Sequence, residues 1–341
     1  MNRPENHDPL RELLSDAVSD IEPDDALEDI RNRTRVTTMS SRRPWLYGAG
    51  AAVVATAATI TAIALAGNLG DDSADPDPAA SPTGQTSEGH YDEGADYVLP
   101  VYFVGDGPRG PRLFREFHPM HSTGGDKLQL SLDEAVSGNP YDPDYSSPWP
   151  EGTAVTTASY DGKVITVDLS GSGPSLRQRP AGMTAKAASI AVQQLVYTAQ
   201  GAAGDGRKPV RLLLDGKHSD TVLGQAAAEP LVNASVTKTL SLMNITAPRE
   251  GVEVSDVFTA TGVNNGFEAW VGWQIIDAEG EVVKDGFGTA QGAAEDRLFP
   301  WQVEVDLAGV DPGTYTFRAY NDDPTGEGSG PDEDTRTIIV K

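Results

Sequence analysis

The sequence predicts a multidomain chain: one N-terminal transmembrane helix, an α+β domain, and an all-β, immunoglobulin-like sandwich. Three observations predict it. Pro44 to Gly70 runs for 27 residues without a charged side chain. Between Tyr97 and Leu214, strand-like and helix-like patterns alternate without a strict βαβ period. From Thr239 onward, about seven short strands fall within roughly 100 residues, the density of a β-sandwich.

The apolar run fixes the first element. Trp45 to Leu69 is rich in Ala, Gly, Val and Ile. About 20 residues of helix cross a hydrocarbon core of ~30 Å, so the stretch is long enough to span. Arg31, Arg33, Arg35, Arg42 and Arg43 precede it, and Asp71, Asp72, Asp75 and Asp77 follow it. Cationic residues stay on the cytoplasmic side, so the N-terminus is expected inside and the rest outside, in the plasma membrane. A cleaved signal peptide is the competing reading, because Ala64-Leu65-Ala66 fits a small-x-small cleavage site. The long leading segment and the long apolar run favour an uncleaved anchor.

The expected organisation is a cytoplasmic tail at 1–43, a transmembrane helix at 44–68, a disordered acidic linker at 69–95, an α+β domain at 96–230 and the sandwich at 238–341. In the tail, Leu10, Leu13, Leu14, Ala17, Val18 and Ile21 follow helical spacing. They form either a docking helix or a solvated tail. The linker is too poor in apolar residues to offset its ordering entropy.

In the α+β domain, Tyr97–Val104 and Arg112–Phe117 read as paired strands, with Pro100 marking an edge or a bulge. Leu128, Leu132 and Val136 share one face of a helix. Thr153–Tyr160 and Lys163–Ser170 flank Asp161-Gly162, a two-residue hairpin signal. Ala181–Gln200 reads as a long helix, and Val210–Leu214 as a strand. In the sandwich, the strands expected are Thr239–Ile245, Val257–Gly262, Phe267–Ile276, Val282–Phe287, Trp301–Leu307, Thr314–Ala319 and Thr335–Val340. Phe267, Ala269, Val271, Trp273 and Ile275 alternate onto one core face. Asp311 to Phe317 resembles a corner in which the Tyr315 hydroxyl bonds back to backbone.

Composition narrows the function. Against 51 Asp plus Glu stand 26 Lys plus Arg, a net charge of −25, and there is no Cys. This net charge argues against bulk electrostatic binding to nucleic acid, because phosphate contacts need clustered Lys and Arg, and no nucleic-acid partner is expected. Disulfides, thiolate metal sites and cysteine nucleophiles are excluded outright. His118-Pro-Met-His121, with Asp126, offers a weak zinc alternative, although Pro119 does not suit a helix. Gly105-Asp-Gly-Pro-Arg-Gly110 spells a dinucleotide fingerprint, but Pro108 and Pro111 lead into a strand rather than a helix. Asp322, Asp323, Glu327, Asp332, Glu333 and Asp334 form an acidic stretch without EF-hand spacing. Asp142 and Asp144 are too close in a Pro-rich loop to argue for glycoside hydrolysis. No catalytic residue, metal or cofactor is therefore assigned. The candidate binding surface is Tyr141, Tyr145 and Trp149 of the loop Pro140–Pro150, together with Trp270, which faces away from Trp273.

Several stretches resemble a known family. Tyr97–Gly107 (YVLPVYFVGDG), Pro111–Phe117 (PRLFREF), Tyr145–Gly152 (YSSPWPEG), Asp161–Leu169 and Val210–Gly216 (VRLLLDG) look like the GerMN domain of spore-germination proteins. Val257–Gly262, Phe267–Trp273, Val283–Gly288, Phe299–Trp301, Pro312–Arg318 and Asp322–Gly328 look like the immunoglobulin-like domain associated with it. The anchored arrangement resembles that of actinobacterial members. The resemblance implies a non-enzymatic binding or assembly module on the outer side of a membrane. Its partner would be an envelope or membrane protein, with cell-wall glycan as the alternative and an accessory role beside a sensor kinase as a lesser one. The chain departs from lipoprotein members in having no lipid-accepting Cys.

Overall fold

The computed structural model describes residues 95–122, 127–171, 175–322 and 330–341. The expected tail, membrane helix and linker lie outside the described residues, apart from Ala95, as do Asp126, Asp323 and Glu327. Among the described residues no helix is long and apolar enough to cross a membrane.

The first domain begins with a long hairpin. Strand β1 (Ala95–Gly105) pairs antiparallel with β2 (Arg112–Ser122) through an unbroken register, from Ala95 opposite Ser122 to Gly105 opposite Arg112. Pro100 sits within it, opposite Phe117, without a bulge. Helix α1 (Lys127–Ser137) follows, burying Leu132 and Val136 as their spacing predicts. Strands β3 (Thr153–Tyr160) and β4 (Ile165–Gly171) form a hairpin. Its turn is longer than the two residues expected. Asp161 accepts hydrogen bonds from the backbone N–H of Lys163 and Val164, each at 2.8 Å, and this local capping delays β4 until Ile165.

Helix α2 (Ala185–Ala203) then crosses to β5 (Val210–Leu214), which lies parallel to β4. One parallel crossover therefore exists inside an otherwise antiparallel α+β pattern. Thr184 caps the helix by accepting from Ala187 N–H at 3.0 Å, and Gly204 ends it at φ +62°. The apolar surface of α2 extends around much of its circumference because two layers cover it. Ala188, Ala191, Leu195 and Val196 meet Ile165, Val167, Leu169 and Leu212 of the sheet. Ile190 and Tyr197 meet Tyr102 and Leu113 of the hairpin. Buried Gln194 ties the layers together, donating to Tyr102 O at 2.8 Å and Ala135 O at 2.9 Å.

Short strands β6 (Lys217–His218), β7 (Thr221–Val222) and β8 (Gln225–Ala226) complete the domain, with β6 on the edge beside β5. A one-turn helix α3 (Val236–Thr239) leads into the second domain. That helix occupies the start of the first strand expected there, so β9 begins at Met243 and ends at Ala247.

The second domain packs two sheets. One is three-stranded, in the order β14 (Phe299–Asp306), β11 (Val257–Asn264), β9. The other is five-stranded, in the order β10 (Val252–Val254), β16 (Glu333–Val340), β15 (Gly313–Tyr320), β12 (Trp270–Ile276), β13 (Val282–Thr289). Strand β10 was not expected, being only three residues long. The alternation in β12 holds for Val271, Trp273 and Ile275, which are all buried. It fails for Phe267, which is 57% exposed in a 3-10 turn where Glu268 and Ala269 adopt φ of +52° and +61°. A left-handed backbone cannot continue a pleat.

Glycines seat the indoles. Trp273 lies on Gly286 of β13, and Trp301 lies on Gly262 of β11, inside the core. The Tyr315 hydroxyl donates to Asp311 O at 2.9 Å, closing the expected corner.

The two domains belong to one compact body. Leu298 of the sandwich and Val236 and Leu240 of the connection pack against Tyr102, Leu113, Ile190 and Tyr197. Ser241 N–H donates to Leu113 O at 2.9 Å.

Candidate functional site

The aromatic, proline-rich loop turns out to be the strap of the domain joint. Tyr145 and Trp149 are only 7% and 6% exposed, so burial removes them from the binding surface the sequence suggested. Tyr145 stacks on Phe114 at 4.8 Å and donates its hydroxyl hydrogen bond to Asp334 of β16 at 2.5 Å. Trp149 joins the first domain's core beside Val155 and Leu132. Tyr141 remains 46% exposed, one face covered by the His118 ring at 4.1 Å.

Arg336 of β16 is the centre of the joint. Its guanidinium donates to Asp142 at 2.5 Å, Asp334 at 2.8 Å, Tyr145 Oη at 3.0 Å and Ile245 O at 3.1 Å. Asp334 also accepts from Ile245 N–H at 2.6 Å. Thr335 donates to Asp144 at 3.1 Å. Asp142 and Asp144 are thus structural acceptors. Burial pushes Asp142 up to about 7, with the charge of Arg336 pulling the other way. Burial opposes the charge on Arg336, but Asp334 and its neighbours outweigh it and hold the guanidinium protonated.

A second polar cluster holds the strap from below. Glu116 accepts from the N–H groups of Tyr141 and Asp142, both at 2.9 Å, and pairs with His118 Nε2 at 2.8 Å. His118 Nδ1 lies 3.3 Å from Glu134. Burial pulls His118 down, but the bonds to Glu116 and Glu134 outweigh it and raise it above its ordinary 6.5. Burial pushes Glu116 up, but the bonds from His118, Tyr141 and Asp142 carry it below its ordinary 4.5. The raised groups, His118 and Asp142, stabilise the fold fully at low pH, and that contribution fades as pH rises through their folded values. Lowered Glu116 stabilises above 4.5, and its contribution is lost as pH falls through its folded value. The thermal midpoint is therefore expected to peak on the acidic side of neutrality and decline above about pH 7. Calorimetry of a His118→Gln/Asp142→Asn variant should show a flatter alkaline limb; an unchanged slope would refute the assignment.

The remaining sequence candidates are separated. His121 is exposed and pairs with Asp96 at 2.8 Å, away from the carboxylates that hold His118. Among the described residues no three His or carboxylate groups form a metal cluster. The glycine-rich segment turns at Gly110, φ +93°, directly into β2. In the acidic stretch, Asp332 pairs with Arg109, Glu333 with Arg318, and Asp334 with Arg336.

Trp270 does stand on an outer face, with company the sequence did not reveal. In register across three strands lie Tyr320, Gly272 and Phe287. The Trp270 ring covers Gly272 and meets Tyr320 edge-on, centroids 5.3 Å apart at 71°. Arg318 lies over the Tyr320 ring at 4.6 Å and donates to Gln274 at 2.9 Å and to Glu333. Phe287 is 75% exposed. Strand parity was the available signal for Phe287, but its neighbours required the strand order.

Comparison with known families follows the same division. Residues 100–220 match the Germane family, described as sporulation and spore germination. Residues 242–328 match the Gmad2 family, the immunoglobulin-like domain of bacterial spore germination. Among solved structures, the tandem GerMN domains of the sporulation protein GerM from Bacillus subtilis are similar at 14% identity. That similarity covers 44% of this chain and 49% of that one, about half its length, with a TM-score of 0.31. A Clostridium perfringens protein provisionally described as a lipoprotein is similar at 16% identity over 43% of this chain and 93% of its own, with a TM-score of 0.27. No curated protein matches. The chain carries a GerMN domain followed by an immunoglobulin-like domain of the spore-germination type.

Proposed function

We propose that this chain is a non-enzymatic binding and assembly protein of the cell envelope. On this reading, the segment 44–68 anchors it in the plasma membrane with the N-terminus cytoplasmic. The GerMN and immunoglobulin-like domains act outside as one scaffold for an envelope or membrane protein. The observation that carries the reading is the joint itself. Buried Arg336 binds carboxylates of both domains, so partners on either domain would be held in a fixed relation. The acid–base candidates of the sequence, Asp142 and Asp144, serve that joint through hydrogen bonds.

The test is cross-linking of the tagged full chain in its own cells, followed by mass spectrometry, with residues 1–95 as control. A reproducible protein partner linked through residues 96–341 is the expected result. Linkage through residues 1–43 alone, or no protein partner, would overturn the scaffold reading.

A further inference from the structure

The outer face of the five-stranded sheet has a composition that core packing does not require. Single exposed apolar residues are ordinary. Here three rings lie side by side across β15, β12 and β13. Strands lie about 4.8 Å apart, so the line from Tyr320 to Phe287 is ~10 Å long, about two pyranose rings. Gly272 makes the arrangement possible. A Cβ there would stand 2.7 Å from Tyr320 Cζ and closer still to the Trp270 indole.

Polar side chains adjoin the rings, with the aliphatic pair Ile276 and Val282 further along the same strands. Gln274, Arg318 and Thr316 share the face, with Thr289 and Asp285 exposed on β13. Arg318 is paired by Glu333, so this face carries little net charge in a chain of −25. A polyanion would be repelled by the chain, and a polycation would find no concentrated acid here. An added strand at the free edge of β13 is disfavoured too. Lys284 of β13 turns inward to Ala308 O at 3.0 Å, the kind of charge that guards an edge.

We propose that this face binds a neutral β-1,4-linked glycan strand. Equatorial linkages leave flat, C–H-lined ring faces, and these pack on the exposed Phe287 ring and along the edge-on pair of Trp270 and Tyr320. The sugar hydroxyls hydrogen-bond to Gln274, Arg318 and Thr289. The site is separate from the loop aromatics Tyr145 and Trp149, and it does not depend on a protein partner. A failed cross-linking experiment leaves it standing.

The test is calorimetric titration of the full chain, in a detergent without a sugar headgroup, with chitohexaose, cellohexaose and maltohexaose. Binding of chitohexaose or cellohexaose is expected, and which of them binds identifies an acetylated or a plain glycan. Phe287→Ala and Tyr320→Ala should each weaken it by ~10-fold or more, the size of an aromatic anchor. Val257→Ala, exposed on the other sheet, should leave it unchanged. Phe287 is so exposed that its loss should not alter the unfolding midpoint, which separates lost binding from lost folding. No binding of either β-linked hexaose, equal binding of the α-linked maltohexaose, or binding that survives the Phe287→Ala/Tyr320→Ala double variant would each overturn the proposal.

Discussion

Arg336→Met is expected to lower the unfolding midpoint by roughly 6–20 °C and to open the connection between the domains to proteolysis. The reasoning is one of uncompensated charge. Arg336 is 4% exposed and faces two carboxylates, Asp142 at 1% and Asp334 at 4%. Removing the single cation leaves Asp334 buried without its counter-charge and drives Asp142, already raised to about 7, to take up a proton, and breaking such a buried pair costs about 3–5 kcal/mol. In a body of this size each kcal/mol moves the midpoint by ~2–4 °C. The methionine retains most of the aliphatic length, so lost packing contributes little. Arg318→Met is the matched control. Its partner Glu333 is exposed, and a solvent-facing pair is worth ~0–1 kcal/mol. Differential scanning calorimetry with limited trypsin digestion reads both variants. Equal midpoints for the two would show that the joint is not held by charge.

Trp301→Ala is expected to destabilise the immunoglobulin-like domain by about 3–5 kcal/mol, the usual cost of a large aromatic deleted from a core. Trp301 is 3% exposed and rests on Gly262, whose absent side chain gives the indole its space. Trp301→Phe should cost much less. The Trp301 indole N–H has no acceptor, so the phenyl ring forfeits volume but no hydrogen bond. Gly262→Ala attacks the same contact from the other side. Its Cβ would lie 2.5 Å from the indole Cζ2 and closer to the backbone oxygen of Asn244, which cannot withdraw without breaking the β9–β11 pairing. Chemical denaturation followed by tryptophan fluorescence ranks the three. If Trp301→Phe proved as damaging as Trp301→Ala, the indole's fit on Gly262 would matter more than buried volume.

Local physics made much of this fold legible. Periodicity placed β1, β2, α1, α2 and most sandwich strands, because each buries one face against a neighbour. The alternation of β12 correctly put Val271, Trp273 and Ile275 inward. Phe267 escaped it because two left-handed residues, Glu268 and Ala269, interrupt the strand. Strand β10 was too short to declare a period. The candidate site was less legible, for a reason of distance. Proline, tyrosine and tryptophan at 140–150 have the composition of an exposed contact loop. What buries Tyr145 is a strand 189 residues later in the chain. Nothing near Asp142 in sequence announces that its partner is Arg336. Trp270 illustrates the opposite case. Parity alone placed it outside, while its companions Tyr320 and Phe287 became visible only once the order β15, β12, β13 was known.

The separation of 194 residues between Asp142 and Arg336 also has a meaning in time. At ~5–20 residues per second, the ribosome takes about 10–40 s to pass from one to the other. Throughout that interval Asp142 has its aspartate and tyrosine neighbours but no guanidinium. An anion in that position stays hydrated or takes up a proton rather than bury itself alone. The newborn GerMN domain therefore spends its first seconds with the strap untied at one edge. It can close only after β16 has been made, so completion of the second domain is the event that finishes the first.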